Sequence, residues 1–406
     1  MTSSTVRSLA VALLAFVAVR ACHTQAVMLT GADRVVGEHG RIFAGKRVGL
    51  VTNQTGLLTD GRHLVDALVD GGTRVTALFG PEHGIRGDAG AGEKVRDSVD
   101  TKTGVPVYSL YGRTSKPTPA MLANVDVLVY DIQDVGVRFY TYISTMKLCM
   151  EAAAEQGIPF VVLDRPNPLG DLIDGPVIED SLRSFVGIVR IPIVYGLTIG
   201  ELATMINELG WLADGRKARL EVVWMDGWTR SMRLTTPWVA PSPNIRRPET
   251  IDLYPGLCLI EATNLSEGRG TERPFHQFGA PWVDAKRLTQ RLNAAGLQGV
   301  HFDPVKFTPA SSKNAGQLCQ GVVATVTDPG AFKPVLTGVT VLSVLRGLHP
   351  DSLVIRRASL NRLLGVSAAY AAILRGGQPG EIELDWQGGL REYTELAARF
   401  RRYPQQ

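Results

Sequence analysis

The sequence lacks most of the signatures of the commoner chemistries. Its 406 residues hold four cysteines, Cys22, Cys149, Cys258 and Cys319, and no two stand in the C-x-x-C spacing of a zinc ribbon or redox pair. No metal site and no disulfide framework follow, and Cys149, Cys258 and Cys319 read as small buried apolar residues. The phosphate-loop pattern G-x-x-x-x-G-K-[ST] is absent, because in the glycine-rich stretch after Gly84 it is Glu93 that precedes Lys94 and Val95 that follows. The G-x-G-x-x-G fingerprint is missing after the first strand as well. A nucleotide is therefore excluded and no cofactor is assigned. There is no G-x-S-x-G elbow and no serine at a strand tip beside a histidine, which leaves an esterase or amidase little support. Nor is charge of one sign in excess: 43 Lys and Arg against 39 Asp and Glu give +4, scattered along the chain. No basic stripe marks a nucleic-acid partner. After the first residues, no run is long and apolar enough to span a bilayer.

What the N-terminus does have is Arg7 followed by an uncharged apolar run over 8–19, too short for a transmembrane helix and placed as an export signal. Val19-Arg20-Ala21-Cys22 loosely matches a lipobox, with Arg20 out of pattern. Cys22 is thus a candidate lipid anchor and the one expected contact with a membrane; cleavage near Ala26 is the alternative. Residues 1–26 are excluded from the fold, and an exported, periplasmic or extracellular protein is expected. The remaining length suggests about two domains. The hydrophobic content of 45% is enough for a sizeable core.

The chain is organised around Phe79-Gly80-Pro81-Glu82-His83-Gly84. The β-rich run 73–79 reads as a buried strand, and glycine and proline then punctuate a tight turn that carries an acid and an imidazole. Other short apolar runs end the same way. Residues 46–53 end at Asn53, 125–130 at Asp131 and Asp134, and 159–163 at Asp164, Arg165 and Asn167. Helical segments such as 142–156 separate most of them, which predicts a parallel sheet covered on both faces. All tips of such a sheet lie on one edge, so these polar clusters should converge there. Further strands are expected over 105–110, 188–195 and 220–225. Thr198 is the expected N-cap of a helix, with Glu201 as its capping-box partner and hence structural. A soft boundary falls near 230–250, giving a first domain over 40–240 and a second over 241–406. The second holds a polar loop from Asn264 through Glu267, Arg269 and Arg273, strands over 299–307 and 320–327, and helices over 284–295 and 331–348. In that loop Gly-Arg-Gly lets backbone approach a ligand, and arginine offers a planar fork to a carboxylate.

Taken together and in order, five motifs resemble those of the bacterial exo-β-N-acetylmuramidases, a family long of unknown function. They are Val51 to Gly56; Phe79 to Gly84 with Arg86-Gly87; Tyr130 to Gly136 with Arg138-Phe139-Tyr140-Thr141-Tyr142; Asp164 to Gly170; and Asn264 to Phe275. The resemblance implies an α/β fold, with a Rossmann-like parallel-sheet domain followed by a smaller α/β domain and the active-site cleft between them. It implies a glycoside hydrolase that removes terminal non-reducing N-acetylmuramic acid from peptidoglycan fragments. Glu82 carries over as the leading catalytic carboxylate with His83 beside it; Asp131, Asp134 and Arg138 match a second motif, and Asn264, Glu267, Arg269 and Arg273 a third. Tyr195 and His276 depart from the expected histidine and acid, and are expected at the cleft.

Breaking a glycosidic bond needs a proton for the leaving oxygen and a carboxylate that activates water or attacks the anomeric carbon. Glu82 is the expected acid. Asp131 and Asp134 are the candidate partners, with Glu267 third; assistance by the substrate's 2-acetamido group stays open. Asn53, Arg86, Arg138, Tyr140, Asn264, Glu267, Arg269 and Arg273 are the candidate substrate-binding residues, with Arg269 or Arg273 first for the lactyl carboxylate. Tyr142, Trp238 and Trp282 are further candidates to stack on sugar faces. An exported saccharide-binding protein without turnover is the alternative, since two lobes around a cleft fit that as well.

Overall fold

The computed structural model describes residues 28–37, 40–87, 97–233 and 238–406; the expected signal, the Cys22 anchor and part of the glycine-rich stretch lie outside them. A seven-stranded sheet forms the centre. Its strands are β1 (Val48–Thr52), β2 (Val75–Gly80), β3 (Ser98–Val99), β4 (Pro106–Ser109), β5 (Val127–Asp131), β6 (Phe160–Leu163) and, after the short ribbon of β7 (Ile173–Asp174) and β8 (Val194–Tyr195), β9 (Leu220–Val223). The spatial order is β3-β4-β2-β1-β5-β6-β9, with all pairs parallel except the edge strand β3. The six parallel strands follow the doubly wound order, whose reversal falls between β1 and β5. Strands β1 and β5 are buried along their whole length, which is why they read as unbroken apolar runs rather than alternating ones.

Side chains leave the sheet on alternate faces and meet two separate cores. Val48, Leu50, Leu78, Val129 and Leu163 face helices α1 (Gly31–Gly37) and α2 (Leu64–Asp70). Val51, Phe79, Leu128, Tyr130 and Val162 belong to a second core with α4 (Tyr142–Gln156), which follows the single-turn α3 (Pro119–Leu122), and with α5 (Ile199–Glu208). Helix α4 ends where Gly157 turns left-handed at φ 66° and its N–H caps the Ala153 and Ala154 carbonyls. At α5 the reciprocal capping box of Thr198 and Glu201 is present, and the Glu201 carboxylate also pairs with the buried Arg230, so its role is structural as expected.

The second core continues into the C-terminal unit without a break. That unit has an antiparallel sheet in the order β10-β12-β11, from β10 (Gln277–Ala280), β11 (Val300–Phe307) and β12 (Cys319–Val326). Around it lie α6 (Thr250–Leu257), α7 (Ala285–Asn293), α8 (Pro334–Leu348), α9 (Arg357–Leu364), α10 (Ala368–Leu374) and α11 (Pro379–Ala398). Helices α6 and α8 cross at Gly256 and Gly338; a Cβ on Gly256 would fall 1.9 Å from the Pro334 carbonyl oxygen, so only glycine permits this approach. One expectation changes: the strand over 188–195 contracts to β8, the rest running as irregular chain. The last helix, α11, runs for twenty residues. Among the described residues no helix is long and apolar enough to cross a membrane.

Candidate active site

Strand β2 delivers the chain to Pro81-Glu82-His83-Gly84. The turn closes on a hydrogen bond from the Gly84 N–H to the Pro81 carbonyl (3.1 Å), with His83 at φ 76° and Gly84 at φ 74°. A left-handed backbone is free for glycine but strained for histidine. Glu82 is partly buried and His83 almost wholly so. Across from them, Phe275 also holds a left-handed backbone, at φ 60°. Two strained residues in the lining of one cavity are a stronger functional sign than either alone.

That cavity has a volume of about 70 Å³. Glu82, His83, Tyr140, Tyr142, Tyr254 and Phe275 line it, together with Asn244 from the 241–244 loop and Arg269 from the C-terminal unit. The rings pack edge to face in a chain, with Tyr140 at 4.8 Å from Tyr142 and 5.9 Å from Tyr254, and Tyr254 at 4.9 Å from Phe275. The 241–244 loop is tied down from below, as Gln54 donates to the Ala240 and Pro241 carbonyls (3.0 and 3.2 Å) and the Tyr142 hydroxyl to the Pro241 carbonyl (2.7 Å). Tyr111, just past β4, hydrogen-bonds Glu82; burial first, then the Glu82 charge and that bond, push its phenol up to about 12.

Of the residues expected from sequence, the structure brings Glu82, His83, Tyr140, Tyr142 and Arg269 together. It places the others elsewhere. Asp131 is fully buried and gripped by Arg165 at 2.6 and 2.9 Å. Asp134 is buried beneath the site, accepting from the Gly136 N–H (2.7 Å) and the Tyr195 hydroxyl; burial pushes its carboxyl up to about 7, against the pull of those bonds. Asn53 is also fully buried, where its side-chain oxygen closes a turn on Thr55 (2.9 Å to N–H, 2.6 Å to hydroxyl). Arg86 spends its guanidinium on Asp66 and Asp100 (2.9 and 3.0 Å). Arg138 is fully buried with no carboxylate, donating to the carbonyls of Pro176, Ile191 and Leu363 (2.8, 3.0 and 2.8 Å), and burial lowers it to about 9. It pins the C-terminal unit to the first rather than meeting a ligand.

Asn264 is equally structural, bonding the Ser352 carbonyl and the Val354 N–H. Glu267 stands behind Arg269, 3.2 Å from it and 2.8 Å from Lys313, and lines no part of the cavity. Arg273 is exposed off the cavity wall. Tyr195 and His276 are not at the cavity either: one holds Asp134, the other hydrogen-bonds Thr250 (2.8 Å). Trp238 and Trp282 pack outside it. Sequence reasoning missed Tyr111, Tyr254 and Asn244.

One carboxylate and one imidazole meet aromatic rings in this cavity, beside a doubly wound sheet with no phosphate loop, and a carboxylate so placed can give and take a proton at a glycosidic bond. The comparisons give the class of enzyme. The family model described as Exo-beta-N-acetylmuramidase NamZ, N-terminal, matches residues 48–249, and its companion, Exo-beta-N-acetylmuramidase NamZ, C-terminal, matches residues 252–403. The chain belongs to this family. It is 46% identical over 378 residues to the peptidoglycan beta-N-acetylmuramidase NamZ of Bacillus subtilis (strain 168), covering 91% of this chain and 90% of that protein. Two crystal structures of DUF1343 family proteins from Bacteroides fragilis NCTC 9343 share the fold. One has a TM-score of 0.86 at 37% identity and the other 0.78 at 32%, each covering 93% of this chain and 99% of the other.

Proposed function

We infer that this chain is an exo-acting glycoside hydrolase that releases N-acetylmuramic acid from the non-reducing end of peptidoglycan fragments. Its membership of the exo-β-N-acetylmuramidase family across both units, with Glu82 and His83 at the mouth of the aromatic cavity, carries the reading. Glu82 is the group placed to give a proton to the leaving oxygen and take it back from water, a role typically contributing about 10²–10⁴-fold. Arg269 is the cation of the cavity wall and the residue we assign to the lactyl carboxylate. The family membership sets aside the alternative of a saccharide-binding protein without turnover.

The apolar run after Arg7 supports export, so we place the enzyme in the periplasm or outside the cell, working in cell-wall recycling, with Cys22 as the candidate anchor. The test is direct. The chain from Val27 is incubated with N-acetylmuramyl-N-acetylglucosamine and, separately, with the reversed disaccharide, and the products are weighed by mass spectrometry. Release of the terminal muramyl sugar from the first alone is the expected result; binding of either without cleavage would overturn the reading.

A further inference from the structure

Resting on that hydrolase reading, we propose that bond cleavage is assisted by the substrate's own 2-acetamido group, and that Asn244 positions this group for attack. The usual glycosidase brings two carboxyl groups to the scissile bond. Here Glu82 is the one carboxylate among the described residues that line the cavity. The nearby acids are already committed. Asp131 is closed off by Arg165, Asp134 lies buried against Tyr195, Glu267 is held by Arg269 and Lys313, and Glu261, on the far side of Arg269's fork, lines no part of the cavity. A second catalytic group must then come from the substrate, and a 2-acetamido sugar carries one at the right carbon.

The cavity fits such a group. Its volume of about 70 Å³ leaves room for a group of acetamido size. Asn244 lines it on a loop that Gln54 and Tyr142 hold from below, and its own N–H bonds the Ser242 hydroxyl oxygen at 3.1 Å. The side-chain amide of Asn244 makes no hydrogen bond with any described residue, so both its donors and its acceptor are unspent. A carboxamide oxygen that accepts the acetamido N–H turns the acetamido carbonyl toward the anomeric carbon and raises its electron density. The carbonyl oxygen then bonds to C1 as the C1–O bond to the leaving sugar breaks, and the Glu82 proton goes to that leaving oxygen. Water next adds to C1 and opens the oxazolinium ring; its proton returns to Glu82, and N-acetylmuramic acid leaves with retained configuration.

The experiment compares 4-nitrophenyl N-acetylmuramide with its N-fluoroacetyl and N-trifluoroacetyl analogues, and reads the first-formed anomer by NMR. Turnover should fall about tenfold or more from the acetyl to the trifluoroacetyl substrate, with the β anomer formed first. A flat series, or the α anomer first, overturns the inference while leaving the muramidase reading intact; no turnover of the parent compound overturns both. For Asn244 the readout is binding of the thiazoline analogue of N-acetylmuramic acid against the free sugar. Wild type should favour the thiazoline, and Asn244→Ala should weaken both ligands but the thiazoline far more, so that the preference collapses, with Asn244→Asp restoring part of it. Equal weakening of both ligands would mean that Asn244 merely supports the loop.

Discussion

Arg165 closes on Asp131 with two hydrogen bonds, 2.6 Å from Nε and 2.9 Å from Nη2, with both side chains almost sealed from solvent. The pair occupies the tip of β5 beside β1, at the point where the strand order reverses and doubly wound folds usually take their ligand. Arg165 also donates to the Leu57 carbonyl (3.1 Å), and the Gln133 N–H donates to the Thr55 hydroxyl, so the switch point is filled with protein. The candidate cavity lies one strand outward, at the tip of β2, and the C-terminal unit supplies part of its wall.

It follows that Asp131 is needed for folding rather than for proton transfer. Removing one member of a buried, hydrogen-bonded ion pair leaves the other charge uncompensated, at a cost of about 3–5 kcal/mol. Asp131→Ala should lower the melting temperature strongly, while kcat per folded molecule stays close to wild type. Thermal unfolding beside active-site-normalised kinetics checks this. Loss of turnover at an unchanged melting temperature would return Asp131 to the catalytic group.

Glu82 should behave in the opposite way. It is only partly buried on a turn whose shape comes from Pro81, His83 and Gly84, so Glu82→Gln keeps the backbone and the Tyr111 contact. Turnover is expected to drop by about 10²–10⁴-fold with an unchanged melting temperature. Tyr111→Phe removes one hydrogen bond to Glu82 and should cost far less, less than about tenfold in kcat. Steady-state rates on a 4-nitrophenyl muramide separate the two; a fully active Glu82→Gln enzyme would remove Glu82 from the mechanism.

Asp134 predicts a pH dependence of stability. Burial raises its carboxyl from 3.8 to about 7 in the folded protein, so the native state holds a proton that the unfolded chain has released. The stabilisation from this group is therefore complete below about pH 4 and is lost as pH rises through about 7. Asp134→Asn keeps an acceptor for the Gly136 N–H and cannot ionise. The variant should gain in melting temperature relative to wild type between pH 4 and 7, then hold a constant difference above that range. A difference that does not change with pH would show that Asp134 is ionised throughout.

The sheet was legible because its strands are short, apolar and buried on both faces, and each ends in a polar residue that has no place in a core. The convergence of those ends was legible too, but not their occupation. Asp131, Asp134 and Asn53 do gather at the strand tips, yet they bond to Arg165, Tyr195 and Thr55, and a sequence does not reveal which acid meets which donor across many intervening residues. Arg138 misled for a related reason. Its motif sets it among the substrate-binding candidates, but the chain turns it inward to three carbonyls from distant segments. The turn that carries Glu82 to the cavity was legible because it is local, with the glycines and the proline stating the geometry in the sequence itself. Asn244 and Tyr254 enter the cavity from the far side through tertiary packing alone, which no local pattern records.

Arg269 lines the cavity but is not idle there. Its guanidinium meets Glu261 and Glu267, its charge lies 5.2 Å from the Phe275 ring centre, and Lys313 balances Glu267 from behind. The four charges sum to zero, so an incoming lactyl carboxylate competes with a protein carboxylate for the same fork. Glu261 is the one that can yield, since its side chain is 30% exposed while that of Glu267 is 2% exposed. Glu261→Gln should therefore tighten muramyl substrates, lowering KM with little change in kcat. Arg269→Ala should raise KM and erase the preference for muramyl over glucosaminyl sugars, whereas Arg273→Ala, on an exposed side chain away from the cavity wall, should do neither. Competition kinetics with the two sugar types decides the matter. A preference that survives Arg269→Ala would mean that the lactyl group is read elsewhere, and an unchanged KM in Glu261→Gln would mean that the fork is not where the substrate carboxylate binds.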